Sequence, residues 1–262
     1  MRQILKETID FSTDKAVLFQ FESRSKLAAY SMGIYCTLIE LSESFYTLIQ
    51  TQNYTGSLSI YRSFIENFVD LKNLKLNGLY VNQLDFGSYE QNKRMFKAAK
   101  QGNPYLTSIA QYADNKIPEV ENEIKLLKES NNFKLCANIY EKFSSAGMEE
   151  EYRGLYPKLS AESHCSLEAI FSRHFEHGNM ENKVNLVIHS KDTATDYEFY
   201  IANLANYLIT AGILVANILE GQQLREFELK KEKIISALTQ TFKTAFKPSE
   251  TEGLAPLNIL TN

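Results

Sequence analysis

One run of residues constrains the fold of this chain more than any other feature. Its members are spaced alternately by four and by three positions: Leu27, Ser31, Ile34, Leu38, Leu41, Phe45 and Leu48. This spacing places them on one face of an α-helix, whereas a strand would need alternation by two. The run therefore predicts a long helix over about residues 23 to 51.

Helical spacing returns in the next segment and continues through most of the chain. After the turn-forming residues 53–57, an inner face is formed by Leu58, Tyr61, Ile65, Phe68 and Leu71. This second helix is expected to end near Gly78. The exception is the alternating run of Val184, Leu186 and Ile188, which favours a short extended segment. We therefore predict an all-α fold, a helical bundle with two long N-terminal helices and a polar middle insert.

The domain organisation follows from the same pattern. Residues 1–246 are expected to form a single all-α domain, in which residues 79–147 are the polar insert. Residues 247–262 contain Pro248, Gly253 and Pro256 and are expected to form a flexible C-terminal tail.

Composition excludes several classes of protein. A chain of 262 residues with 44% hydrophobic and 23% charged residues can bury its own core, so it is not disordered, collagen-like or framed by disulfides. A net charge of −4 argues against a general nucleic-acid coat but leaves room for a local basic patch. The cysteines, Cys36, Cys136 and Cys165, lack a C-x-x-C pair and are expected to be reduced thiols.

The expected location is the cytoplasm, with no membrane association. Residues 1–21 carry dispersed charges and no apolar core of a secretory signal. The longest apolar stretch, 199–219, contains three asparagines and is typical of a buried core helix rather than a lipid-facing span.

The common motifs for phosphate, dinucleotide, zinc and calcium binding are absent, and no cofactor is expected. The residues nearest to a metal-site pattern are His164, His174 and His177 with Glu168 and Glu176. These residues lack the paired E-x-x-H spacing of di-iron bundles, so no metal is predicted.

A first candidate constellation is Arg62 with Glu66 in the second helix. The i, i+4 spacing puts both side chains on one face, beside apolar Ile65 and Phe68. This pair is either a structural ion pair or part of a functional site.

A second candidate constellation lies between Tyr156 and His164. A helix is expected from Tyr156-Pro157 to about Phe175, with Ser160, His164, Leu167 and Phe171 on one stripe that faces other helices. His164 is then either a hydrogen-bonded core histidine or a general acid–base, since imidazole changes charge near neutral pH.

Together these two runs resemble a bacterial all-helical family of unknown function. Its recurring pattern is R-x-x-x-E in an early helix and Y-x-x-L-S with a following histidine in a later one, here Arg62, Glu66, Tyr156, Ser160 and His164. The layout is similar to that of HEPN-like domains, many of which are metal-independent ribonucleases in toxin–antitoxin and phage-defence systems. The usual arginine–histidine spacing of those domains is missing here, so a site would be assembled from separate helices.

The resemblance implies a HEPN-like metal-independent ribonuclease or toxin-type effector. Arg62, Glu66 and His164 would then be the catalytic residues, while Tyr156 and Ser160 would bind substrate. The implied partners are RNA, a second protein of a defence or toxin–antitoxin system, and a second copy in a homodimer. The alternative is a non-catalytic helical module that binds a partner protein or a small ligand.

Overall fold

A computed structural model gives the fold, and it describes residues 1–22, 24–131, 133–164, 166–177, 183–188 and 194–245. The predicted tail at 247–262, Cys165 and the side chain of His177 lie outside these residues.

The described residues form twelve α-helices and one two-stranded antiparallel hairpin, so the all-α prediction is confirmed. The helices are α1 (Arg2–Ala16), α2 (Lys26–Gln50), α3 (Tyr54–Leu76), α4 (Val81–Lys100), α5 (Thr107–Ala110), α6 (Ala113–Glu129), α7 (Ile139–Ser145), α8 (Glu149–Gly154), α9 (Tyr156–Ser163), α10 (Leu167–His174), α11 (Ala194–Ile218) and α12 (Leu224–Ala245). The strands are β1 (Phe175–His177) and β2 (Val184–Leu186), and short 3-10 turns cover Gly78–Tyr80 and Pro104–Leu106.

The chain separates into two compact units. Unit 1 comprises Met1–Lys72 and the described residues from Met148 onward, and unit 2 comprises Asn73–Gly147. The predicted insert began at about residue 79, six residues after the start of unit 2. The expectation that 1–246 forms a single domain stays a prediction.

Unit 1 is built around α11, which packs against α1, α2 and α12. Seven of its residues are fully buried: Leu204, Ala205, Leu208, Ile209, Ala211, Val215 and Ala216. Gly212 lets the backbone of α11 lie close to α12, because a Cβ at this position would lie 2.2 Å from the ring of Phe227 on α12. Phe227 in turn stacks on Phe19, with ring centroids 6.0 Å apart.

The prediction for the first long helix is accurate in its bounds and less so in its buried face. Helix α2 begins after Ser25, whose hydroxyl accepts the N–H of Ala28 at 3.2 Å as an N-cap. Of the predicted stripe, Ser31, Leu38 and Phe45 are buried, but the face also includes neighbours that the stripe omitted: Ala28, Met32, Tyr35, Ile39, Ser42 and Ile49. The buried surface is wider than a strict four–three seam because α2 packs on both α1 and α11.

For α3 every residue of the predicted face is buried, although the face also includes Phe64, Val69 and Leu74. Leu58, Tyr61, Ile65, Phe68 and Leu71 are all buried. Helix α1, by contrast, was not singled out in the sequence, and its buried face mixes Leu5 and Ile9 with Thr8 and Ser12.

The prediction of one continuous helix from Tyr156 to about Phe175 is wrong. Helix α9 ends at Ser163, and α10 begins after Ser166, whose hydroxyl accepts the N–H of Ala169 at 3.2 Å. This second N-cap competes with helix continuation and starts a new axis. The predicted inward stripe is therefore broken, and Leu167 and Phe171 are exposed.

The extended segment predicted around 184–188 is found as β2. It pairs with β1 in antiparallel register, with Phe175 opposite Leu186 and His177 opposite Val184. His174, the last residue of α10, adds a contact between its Nδ1 and the carbonyl oxygen of Val187 at 3.1 Å.

One described helical segment, Tyr197–Ile218, is long and apolar enough to cross a membrane. However, 61% of its most apolar window is buried inside the protein, which is also typical of a core helix. The absence of membrane association stays a prediction.

Candidate functional site

Four of the predicted site residues meet on unit 1. We call Arg62, Glu66, Tyr156 and His164 the Arg62 cluster. Arg62 and Glu66 project from one face of α3, Tyr156 is the first residue of α9, and His164 is the residue that caps its C-terminal end. Helix α9 is eight residues long, so Tyr156 and His164 lie at its opposite ends.

The guanidinium of Arg62 uses each of its three nitrogens for a different side chain. Nε donates to Glu66 Oε1 at 3.0 Å, and Nη2 donates to the Tyr156 hydroxyl at 3.0 Å. Nη1 lies 2.6 Å from Nε2 of His164. A planar group held in three directions has little rotational freedom, so Arg62 is presented in one orientation.

The Tyr156 hydroxyl links Arg62 and Glu66, the two cluster residues on α3. It accepts from Arg62 and donates to Glu66 Oε1 at 2.7 Å. Burial and the hydrogen bond to the Glu66 carboxylate raise the pKa of Tyr156 above its ordinary value, so it stays a neutral phenol and a donor. Its ring stacks on Tyr152, one helical turn earlier, at 5.5 Å between centroids.

The contact between Arg62 and His164 fixes the state of the imidazole. An arginine nitrogen can donate but cannot accept, so Nε2 of His164 is the acceptor and carries no proton. The neutral ring therefore has its proton on Nδ1. In this state Nε2 has a lone pair that can take a proton once Arg62 releases it.

Arg62 stays protonated and positively charged. Desolvation lowers its pKa, but the hydrogen bond with Tyr156 and the charge of Glu66 outweigh this and raise the pKa overall. The Arg62 side chain is 21% exposed and the Glu66 side chain is 37% exposed. His164 is exposed as well, so the cluster is open to a ligand in solvent.

Ser160 does not join the cluster through its hydroxyl. Within the described part of the chain, that hydroxyl forms no hydrogen bond to any cluster residue, and Ser160 contributes its carbonyl oxygen to the N–H of His164 at 3.0 Å. Its predicted role in substrate binding stays a prediction.

A second arginine–glutamate pair in unit 1 was missed in the sequence. Arg173 on α10 places Nε 3.2 Å from Glu162 Oε2 on α9, and both side chains are largely buried. The Nε–H donates to the carbonyl oxygen of Ala169 at 2.8 Å, so its contact with Glu162 is an ion pair without a hydrogen bond. The two residues are eleven positions apart and on different helices, and no spacing rule connects them.

The alternative metal site finds no support in the geometry. Among the described residues, no group of three or more His, Cys, Asp or Glu side chains could hold a metal ion. Nδ1 of His174 already contacts the carbonyl oxygen of Val187, next to β2. The expectation that no metal or cofactor is bound stays a prediction.

Comparison with known proteins identifies a family for this chain. No curated protein and no solved structure matches the chain. A profile described as a family of unknown function (DUF5677) matches residues 28–183, which is more than half of the chain and includes every residue of the Arg62 cluster. The chain therefore belongs to this family of unknown function.

Proposed function

We propose that this protein is a metal-independent endoribonuclease whose site is the Arg62 cluster. The observation that carries the proposal is the 2.6 Å contact between Arg62 Nη1 and His164 Nε2. It joins a fixed positive charge to an unprotonated imidazole nitrogen on an open surface. These are the two groups that cleavage of RNA without a metal requires.

The chemistry uses the nucleophile that RNA carries. When a phosphodiester binds, Arg62 Nη1 exchanges its contact with His164 for a phosphate oxygen. The freed Nε2 removes the proton of the adjacent 2′-OH, and this oxygen attacks phosphorus. The bond to the 5′-oxygen breaks, the leaving oxygen takes a proton from solvent, and the products are a 2′,3′-cyclic phosphate and a 5′-OH.

The remaining cluster residues act by positioning. Glu66 and Tyr156 hold Nε and Nη2 of Arg62 while Nη1 changes partner. The guanidinium then stabilises the charge that builds on the phosphate in the transition state, without having to reorient. Since both residues act through Arg62, their loss should weaken catalysis less than loss of Arg62 or His164.

The test is cleavage of total RNA and tRNA by purified protein in excess chelator. The wild type should cut and leave cyclic phosphate ends. His164→Ala and Arg62→Ala should each lose roughly a hundredfold or more of the activity while keeping their helical circular dichroism. The matched control is Arg153→Ala, because Arg153 is an exposed arginine of unit 1 outside the cluster.

Two results would count against the enzyme. Equal cleavage by folded His164→Ala would remove the proposed base. Products ending in 3′-OH would require a different nucleophile.

The biological setting is proposed from the resemblance to HEPN-like domains. It favours a toxin-type effector in bacterial defence, acting on RNA in the cytoplasm and controlled by a partner protein. Induced expression of the wild type should then arrest growth, whereas His164→Ala at the same level should not.

The competing function is a non-catalytic helical module, in which the Arg62 cluster fixes α9 against α3. The same variants discriminate the two. In the module, Arg62→Ala and His164→Ala would lower the melting temperature and the wild type would cut nothing.

A further inference from the structure

Unit 2 contains a cavity that lies outside the Arg62 cluster. Its volume is about 550 Å³, within the range of roughly 300–1,000 Å³ that is usual for small-molecule sites. The walls come from the end of α3, the 3-10 turn at Gly78–Tyr80, the start of α4, the segment 133–136 and α7. All of these residues belong to unit 2.

Much of the cavity wall is apolar and exposed. Leu76, Leu79, Leu135 and Tyr140 line the cavity, and between 39% and 62% of each residue is exposed to solvent. Phe133 adds an aromatic ring, which is held by the ring of Phe86 at 5.3 Å between centroids. Apolar side chains that are gathered around a concave surface, rather than scattered singly, mark a ligand site.

A buried amide supplies the specific polar group. Gln83 on α4 lines the cavity and is 8% exposed. Its Oε1 accepts the backbone N–H of Cys136 at 2.9 Å, but its Nε2 has no hydrogen-bond partner among the described residues. Nε2 is also not among the unpaired polar atoms that are sealed from solvent, so this amide keeps access to solvent in a residue that lines the cavity. A donor of this kind requires an acceptor from a ligand or solvent.

The wall carries one positive and one negative side chain, Lys134 and Glu141, so it is the free donors that suit an anionic group. Lys134 is an exposed wall residue with no ion-pair partner in the described part of the chain. The acidic residue in the wall, Glu141, has both oxygens engaged, one by the N–H of Ala137 at 2.7 Å and one by Asn138 Nδ2 at 3.2 Å. The cavity therefore offers free donors at Gln83 and Lys134, while its carboxylate oxygens are already bonded.

We propose that the cavity of unit 2 binds a small amphipathic organic anion. The apolar body of the ligand packs between Leu79, Leu135 and Tyr140, an acceptor of the ligand takes the Gln83 amide proton, and the negative group lies near Lys134. The proposal is independent of the ribonuclease, because none of these residues belongs to the Arg62 cluster.

A matched pair of fluorescent probes tests the chemistry. The first is 8-anilinonaphthalene-1-sulfonate, and the second is N-phenyl-1-naphthylamine, the same body without the sulfonate. The wild type should bind the anionic probe saturably at one site and about tenfold more tightly than the neutral probe, since the sulfonate adds a charge-assisted contact. Equal affinity for the two probes, or binding that does not saturate, would overturn the proposal.

Two substitutions locate the polar contacts. Gln83→Glu keeps the acceptor for Cys136 but replaces the free donor by a negative oxygen, so it should weaken the anionic probe about tenfold or more. Lys134→Met keeps the apolar stem and should reduce the anionic probe to the affinity of the neutral one. The matched control is Gln91→Glu, the same substitution at an exposed position of α4 outside the cavity, which should change neither affinity.

Cys136 reports where the probe binds, without relying on affinity. It is a free thiol that lines the cavity. In a Cys36→Ser, Cys165→Ser background, the anionic probe at saturation should slow the reaction of Cys136 with a thiol reagent by about tenfold. An unchanged rate would place the probe elsewhere and refute the site, and this result stands even if Gln83→Glu fails to fold.

Discussion

Two arginine–glutamate pairs in unit 1 differ in how they meet solvent. In the open pair, the Arg62 side chain is 21% exposed and the Glu66 side chain 37%, and Arg62 also contacts Tyr156 and His164. In the closed pair, the Arg173 and Glu162 side chains are 9% and 13% exposed. The same two residue types therefore stand in a site that a ligand can reach and in one that it cannot reach.

The difference in exposure predicts that the two pairs contribute differently to stability and to reactivity. A buried pair is strongly destabilising to break, because the surviving charge has lost its partner in a poor solvent. An exposed pair contributes little to stability, since water screens it. We therefore expect the closed interior of unit 1 to carry the stability and the open cluster to carry the proposed chemistry.

We expect alkaline pH to cause the largest loss of stability, because it acts on tyrosines in the closed interior of unit 1. Burial raises the pKa of Tyr61 well above its ordinary value of 10.0, and the same direction holds for Tyr35, Tyr197 and Tyr207. The folded state thus keeps protons that the unfolded chain loses. Stability should be constant below pH 10 with respect to these groups, and it should fall as pH rises above 10.

The expected loss at pH 11 is about 1.4 kcal/mol for each of these four tyrosines, or about 6 kcal/mol in all. Denaturant titrations from pH 9 to pH 11 would measure it. Tyr61→Phe should make the fall shallower, and a free energy of unfolding that does not change over this range would contradict the assignment.

Breaking the closed pair should be the next largest effect. Arg173→Met leaves the Glu162 carboxylate buried without a counter-charge, so the free energy of unfolding should drop by about 3–5 kcal/mol. Chemical denaturation would measure the drop. The matched control is Arg153→Met, because Arg153 is 66% exposed and pairs with an exposed Glu150. Equal losses in the two variants would refute the contrast between buried and open pairs.

Removal of two different tyrosine hydroxyls should change the stability of the protein in opposite directions. The Tyr61 hydroxyl is buried and has no hydrogen-bond partner among the described residues, whereas the Tyr156 hydroxyl bonds to Arg62 and Glu66. Tyr61→Phe should therefore stabilise the protein by about 1 kcal/mol, and Tyr156→Phe should destabilise it by about 1 kcal/mol. Paired melting curves would settle the sign, and a shift of both in the same direction would contradict the geometry.

The smallest effect on stability is expected for the residue with the largest proposed role in catalysis. Arg62→Met removes an open pair and should cost about 0–1 kcal/mol, while the ribonuclease activity should be lost. Calorimetry and cleavage assays on the same preparation would test both parts. A loss of stability as large as that of Arg173→Met would instead favour the non-catalytic module.

The elements that could be predicted from the sequence are those set by local pattern. The buried face of α3 repeats at helical spacing, so five of its residues were identified, and the Arg62–Glu66 contact follows from i, i+4 geometry. The break between α9 and α10 was missed because the N-cap of Ser166 interrupts a pattern that otherwise continues.

The contacts that complete the Arg62 cluster join residues 94 and 102 positions apart, and spacing alone does not reveal them. The resemblance to a helical family implied only that a site would be assembled from separate helices, and it left open whether Arg62 and His164 meet. The cavity of unit 2 had no such indication, because its walls come from several short segments whose polar residues form no motif.

The order of the cluster residues along the chain decides what happens when the protein is cut into two fragments. Arg62 and Glu66 precede residues 73–147, and Tyr156 and His164 follow them. A single cut in the loop at 133–137 would leave Arg62 and Glu66 on one fragment and Tyr156 and His164 on the other. Neither fragment alone could join the arginine to the imidazole, so restored cleavage on mixing would report complementation of a split protein.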